Sequence, residues 1–315
     1  MLEIALIMAI SSMLCFAQTS TEYHRTLQVS NEEPAKLHIE IDRADVQVLY
    51  DRDGEVSIHG VALAAGEAKL DENYFASVLS IEQAGNEITV RHRLDTAHAA
   101  GMPKLSLRIN VPYRTEVHTD VQQGTQTLRG LLGPVDVRSR KGDIRASYIS
   151  KEVHAEVESG SVDLQVIGEP VVAKVGVGNI SGQRLEKGIQ AETNDGDITL
   201  MVVGSSSARV ISGTGRIEIG GARGTLTLST DAGDLTVQAV PHDDWTLHSA
   251  MGTIRLRLPQ KLSAVVEAST DSGELQVDRD DILKDERNPH SIAGRVGVGG
   301  KLVAAHTEKG RIVIQ

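Results

Sequence analysis

Residues 193–200, TNDGDITL, set Asp195 and Asp197 on either side of Gly196, with Asn194 beside them. Carboxylates this close are the oxygen ligands that calcium prefers, or the acid and base of glycosidic chemistry. Acidic corners of the same kind recur at Asp231 and Asp234 and at Asp271 and Glu274. The spacing argues against both chemistries. Neither the EF-hand pattern nor the nonapeptide calcium repeat occurs, and sibling corners carry Lys141, Thr214, Arg216 and Met251 instead. One residue after each corner glycine the chain reads Asp143, Ser161, Asn179, Asp197, Arg216, Asp234, Thr253 and Glu274, so no two carboxylates are consecutive. No run of aromatic residues offers a platform for sugar rings. Nucleophilic chemistry has no local signature: Gly-x-Ser-x-Gly is absent, the one cysteine is Cys15, and the 11 histidines are scattered. The stretch GRVGVGGKL has Arg295 where a phosphate loop needs its first glycine, and Leu302 where Ser or Thr must follow Lys301. No catalytic, cofactor-binding or metal residue is therefore assigned.

What positions these corners is a repeat. Glycines followed two residues later by an aliphatic occur at Gly142, Gly160, Gly178, Gly196, Gly215, Gly233, Gly252 and Gly273, with a late copy at Gly310. The steps are 18 or 19 residues until the last two, which are 21 and 37. Gly124 precedes the series by 18, although Gln126 breaks its aliphatic position. Two residues after the glycines stand Ile144, Val162, Ile180, Ile198, Ile217, Leu235, Ile254, Leu275 and Ile312. Five and seven residues before them are Val, Ala, Ile, Leu and the single Trp245, and the intervening positions are mostly polar. This period of two is that of strands with one buried face. Each repeat reads as strand, glycine turn, strand, polar corner. The nine glycines are expected to be structural, supplying positive φ at the bend. Three residues before them, Ser or Thr in seven of nine copies is expected to hydrogen-bond the turn backbone.

Rungs of this size need neighbours, and parallel coils and antiparallel hairpins both supply them. The outward position four before the glycine reads Arg138, Glu156, Lys174, Glu192 in successive copies. Parallel stacking brings these alternating charges about 4.8 Å apart. Together with the near-constant repeat length, this favours an all-β fold, a parallel β-solenoid of 18–19-residue rungs.

Composition agrees. Aromatics make up 3% of the 315 residues, with 30 Gly and 8 Pro. The net charge of −11, spread along the chain, excludes a nucleic-acid footprint. Residues 1–17 read as a signal peptide ending at Ala17, although Glu3 stands where Lys or Arg is usual. No second apolar segment is long enough for a membrane span after its removal. Residues 18–120 alternate irregularly and read as a β-rich N-terminal cap, with a hairpin at Ala84-Gly85-Asn86 and a short helix within 64–77. Residues 121–315 form the repeat domain. The charged stretch 278–291 reads as a loop projecting from one rung.

The stretches VPYRTEVHTDVQQGTQTLRGLLGPVDVRSRKGDIRA, ETNDGDITL, STDAGDLTV and GGKLVAAHTEKGRIVIQ resemble the bacterial putative-adhesin family of β-strand-repeat proteins of unknown function. The resemblance spans roughly residues 35–315 and departs at Asn179, Arg216 and Thr253, which replace the family's Asp. It implies an exported, solenoid-like protein with no established activity. The expectation is a non-enzymatic binding or scaffolding protein of the periplasm or cell surface, needing no cofactor. Its partner would be an envelope protein or surface polymer. A polysaccharide-active β-helix enzyme is the alternative.

Overall fold

A computed structural model describes residues 20–52, 54–64, 74–93, 103–204 and 206–315; the expected signal peptide, residues 1–17, lies outside them. Each repeat contributes one strand to each of two long sheets. The strand before the corner glycine joins a 15-stranded sheet, and the strand after it joins a 14-stranded sheet. Equivalent positions pair in parallel from rung to rung. Val135 faces Val153, which faces Val171; across the corner Ile144 faces Val162, which faces Ile180. The fold is a parallel β-solenoid.

Period-two patterning decides the core. Inward aliphatics of the two sheets meet in one continuous cluster from Leu27 to Ile314. The residues two after the glycines are buried in every rung except the one carrying Leu275, which ends its sheet. Trp245 is fully buried and donates its Nε1–H to Gly224 O at 3.3 Å. Gln126 proves no break in the series. Its buried side chain accepts from Thr119 Oγ1 and donates to Arg138 O at 2.6 Å, so the amide is satisfied inside the core.

The column Arg138, Glu156, Lys174, Glu192 is in direct register on the outer face. Arg138 Nε lies 4.0 Å from Glu156 Oε2. Exposed pairs of this kind contribute little, and like charges in their place repel. Glu156→Lys would set three cations side by side. The expected loss is about 1 kcal/mol, read as a lower urea midpoint and largely recovered in high salt.

Both ends depart from chain order. The rung built from Lys36–Arg43 and Asp45–Tyr50 turns at Ala44 and lies beside the Gly124 rung. The next rung in sequence, Glu87–His92 with Lys104–Val111, sits outside it. At the other end the Gly310 rung inserts between the Gly252 and Gly273 rungs. The 37-residue step therefore does not mark a missing copy; it marks a strand pair that returns to fill a slot.

Antiparallel strands finish the stack. Ser20–Gln28 pairs with Glu55–Leu63, and Leu79–Ala84 turns back on Glu87–His92 through Gly85. The one helix described is Tyr74–Val78, and residues 65–73 of the expected helical stretch lie outside the described residues. His92, buried near Asp42, has no hydrogen-bond partner on either ring nitrogen among the described residues. Burial pushes its pKa below the ordinary histidine value, against a smaller opposing pull from Asp42.

The charged stretch 278–291 is not a projecting loop. Ile282–Asn288 and Ser291–Val296 form a hairpin that extends the 15-stranded sheet, carrying Ile282, Ile292 and Val296 into the core. Its charge has a structural use at Arg279. That guanidinium donates to Leu258 O at 2.9 Å, Pro259 O at 3.0 Å and Asp281 Oδ2 at 2.6 Å.

Candidate functional site

The corner glycines stack into one spine. A Cβ built on Gly196 would lie 2.0 Å from Gly178 O, and one on Gly215 would lie 2.1 Å from Gly196 O. The same approach continues through Gly142, Gly160, Gly233 and Gly252, then Gly310, and ends at Gly273. Gly142, Gly160, Gly178, Gly196, Gly215 and Gly252 have φ between 141° and 157°. Gly233, Gly273 and Gly310 show the close approach without a left-handed φ. Two demands thus meet at the corner, conformation and proximity, and proximity is the one common to all nine.

The inward Ser and Thr column donates across rungs rather than to its own turn. Thr193 Oγ1 reaches Gly178 O at 3.0 Å, Ser212 Oγ reaches Gly196 O at 3.2 Å, and Ser249 Oγ reaches Gly233 O at 3.1 Å. Ser139 Oγ is buried without a partner among the described residues.

Several of the corner residues that invited a ligand are also engaged across rungs. Asn179 Oδ1 accepts from Asp197 N at 2.8 Å, and Asp197 Oδ1 accepts from Arg216 N at 2.8 Å. Asp143 accepts from Ser161 N, Asp234 from Thr253 N, and Asp45 from Thr125 N. Asp195 Oδ1 accepts from Thr214 Oγ1 at 2.8 Å. Burial pushes the Asp234 carboxyl up, but the Thr253 N–H and the Arg255 guanidinium at 3.0 Å outweigh it and hold its pKa below the usual carboxylate value. Asp195 thus accepts from a hydroxyl, and Asp45, Asp143, Asp197 and Asp234 each accept a backbone N–H. No group of three or more potential metal ligands is found among the described residues.

Two titratable clusters arise that the linear sequence did not single out. Ser269 Oγ lies 3.0 Å from His306 Nδ1, and His306 Nε2 lies 3.8 Å from Asp271 Oδ1. The residue types are those of a hydrolytic triad, but the geometry is not. The Asp271 side chain is 67% exposed and beyond hydrogen-bond reach, so it cannot fix the imidazole. Ser269 sits on a strand paired on both sides, which commits its backbone to ladders. His248 stacks on His306 at 5.6 Å. On the same sheet His118 and His154 flank Asp136, with Nδ1 atoms 3.2 and 3.9 Å from its oxygens, and His38 follows His118 in register. These are outward ladder contacts, half exposed to water.

The fold also leaves aromatic rings at the surface. Tyr50, Tyr113 and Tyr148, far apart in sequence, are all exposed. Tyr50 and Tyr113 meet edge to face at 6.2 Å, and Arg129 lies over the Tyr148 ring at 5.3 Å.

A search of the curated proteins finds no match. Among solved structures, a putative adhesin from Bacteroides fragilis is 14% identical with a TM-score of 0.49, over 70% of this chain and 97% of that one. A putative adhesin from Parabacteroides distasonis is 11% identical with a TM-score of 0.36, over 95% and 98%. A putative lipid binding protein from the same species is 12% identical with a TM-score of 0.27, over 93% and 96%. The family model described as Toastrack DUF4097 matches residues 35–315, the whole repeat and the strands before it from Lys36 on. The chain belongs to the Toastrack DUF4097 family.

Proposed function

We propose that the protein is an exported, non-enzymatic module that binds or scaffolds in the bacterial cell envelope, adhesin-like in its use of a long repetitive surface. The observation that carries this reading is the engagement of the corner acids. Asp197 and Asp234, two of the carboxylates that a metal or a proton transfer would call on, accept backbone N–H groups of the adjacent rung, as the Asn179 amide oxygen does. What remains outward is a long face of regularly spaced side chains, the kind of surface on which solenoids bind. Relatives described as putative adhesins support the reading. In it, residues 1–17 are the export signal, 121–315 carry the repeat, and 18–120 end the stack with further rungs and antiparallel strands.

Fractionation of bacteria producing the full chain tests export, with mass spectrometry of its mature N-terminus. The expected product begins at Gln18 and is recovered outside the cytoplasm. A cytoplasmic chain that keeps residues 1–17 overturns the reading. Turnover of any polysaccharide by the purified protein overturns its non-enzymatic part.

A further inference from the structure

Three of the five tyrosines gather where the second strand of each rung leaves its sheet. Tyr50 lies six residues after Ala44, Gly130 six after Gly124, and Tyr148 six after Gly142. These corners stack in that order, so Tyr50 and Tyr148 lie two strand spacings apart, roughly 10 Å, with Gly130 between them. Gly130 is left-handed at φ 78°, and a Cβ there would meet Tyr50 Cβ at 3.1 Å. Gly130 thus adds no side chain to the step between the two tyrosines, and the neighbouring Arg129 reaches toward Tyr148. Tyr148 also has positive φ, 56°, but so do Val166 at 56° and Arg184 at 55° in the next two rungs. The backbone form therefore belongs to the fold. The choice of tyrosine, half exposed at 52%, does not follow from it.

Charge marks the same corner. The chain carries −11 overall, yet Arg52, Arg114 and Arg129 form no ion pair among the described residues. Arg52 and Arg114 line a cleft of about 350 Å³ with Tyr113, Asp51, Asn31 and Glu33. Arg129 is held over the Tyr148 ring. Exposed Tyr and Arg are the residue types that dominate binding energy where they cluster. Aromatic faces in shallow, water-accessible positions suit ligands that are flat and apolar on one face and hydroxylated at the rim. Unpaired guanidiniums select a carboxylate on such a ligand.

We propose that this corner, Tyr50, Tyr113 and Tyr148 with Arg52, Arg114 and Arg129, is a binding site for an acidic oligosaccharide. Its sugar rings stack on the tyrosines, and its carboxylates pair with the guanidiniums. A peptide would need a deeper apolar pocket to bury its side chains, and the cleft is lined mainly by polar groups. The site rests on the reading of the protein as a binding module and names the class of its ligand.

Titration calorimetry of the full-length protein tests the site with oligogalacturonate, oligoalginate and hyaluronan fragments, neutral cello-oligosaccharides, and a polyglutamate peptide. At least one acidic oligosaccharide should bind, more weakly as salt rises, while the neutral sugars and the peptide do not. The Tyr50→Ala/Tyr148→Ala pair should weaken binding about tenfold or more at an unchanged melting temperature. Tyr148→Phe should retain binding, because the ring face and not the hydroxyl makes the contact. If the alanine pair unfolds, Arg52→Gln/Arg114→Gln provides the same readout from exposed side chains. The site is overturned if no acidic sugar binds, if neutral sugar or peptide binds equally well, or if the folded variants bind like the parent. An exported, catalytically inert protein with a silent corner loses this site and keeps the proposed function. A cytoplasmic, uncleaved chain loses the proposed function whatever the corner binds.

Discussion

Gly196→Ala should destabilise the protein by about 3 kcal/mol or more, because the corner offers neither the conformation nor the room for a methyl group. The φ of 151° is one that L side chains rarely adopt, and the added Cβ would sit 2.0 Å from Gly178 O. That oxygen cannot retreat. Gly178 is itself pressed on Gly160 and receives the Thr193 hydroxyl at 3.0 Å. Relief would require the rungs to separate, which breaks ladders on both sheets. The control is Gly85→Ala in the hairpin turn. Its φ of 62° carries the same kind of conformational penalty, but nothing lies within 4 Å of the new Cβ, so a loss near 1 kcal/mol is expected. Urea unfolding of both variants, with hydrogen exchange to locate the loss, separates strain from collision. Equal effects would show that φ alone makes these residues glycine. Asp197→Ala should fall well below Gly196→Ala, at about 1 kcal/mol, since it removes one cap to Arg216 N.

The rung itself was legible in the chain because its determinants are local. Gly196, Ile198 and the alternation around them repeat at a fixed spacing, and Arg138, Glu156, Lys174 and Glu192 indicated that neighbours stack in parallel. Neighbour identity was not legible at the ends. Rungs pair through backbone ladders and present similar aliphatic columns, so the sequence of the Gly310 rung does not say whether it sits outside Gly273 or inside it. The stretch 278–291 read as a loop because it is charged, and charge is also how exposed edge strands avoid pairing with other chains. Ala44 was missed as a corner because it lacks the glycine, and with it went the alignment that places Tyr50 beside Gly130 and Tyr148. Ser269 and His306 likewise meet only because a strand returns across an intervening rung. What local pattern cannot express is which distant rung lies next door, and the tyrosine corner depends on that.

Deleting residues 301–315 should unfold far more than one rung. In a solenoid stacked in chain order, removing the last rung exposes one ladder and leaves the rest intact. Here the deleted strands lie between two others, with Val303 paired to Trp245 on one side and Val266 on the other, and Ile312 likewise to Ile254 and Leu275. Removal takes Val303, Ala305, Thr307, Ile312, Val313 and Ile314 out of the core and opens two ladders in each sheet. It also strips the Gly273 corner of the Gly310 carbonyl it packs on. The Gly252 and Gly273 rungs are joined by only the few residues between Arg257 and Ala264, and one strand spacing would have to close for them to pair directly. The hairpin 282–296 hangs on the Gly273 rung and has no other attachment to the ladders. Hydrogen exchange of the truncated chain should therefore show residues 264–296 unprotected as a block, while the rungs from Gly142 to Gly215 keep their protection. Protection retained across 264–277 would mean that these rungs can pair without the inserted strand. The return of the chain would then be an accident of connection. Its loss would make the inserted rung the element that closes the stack, holding the last segments in place from within.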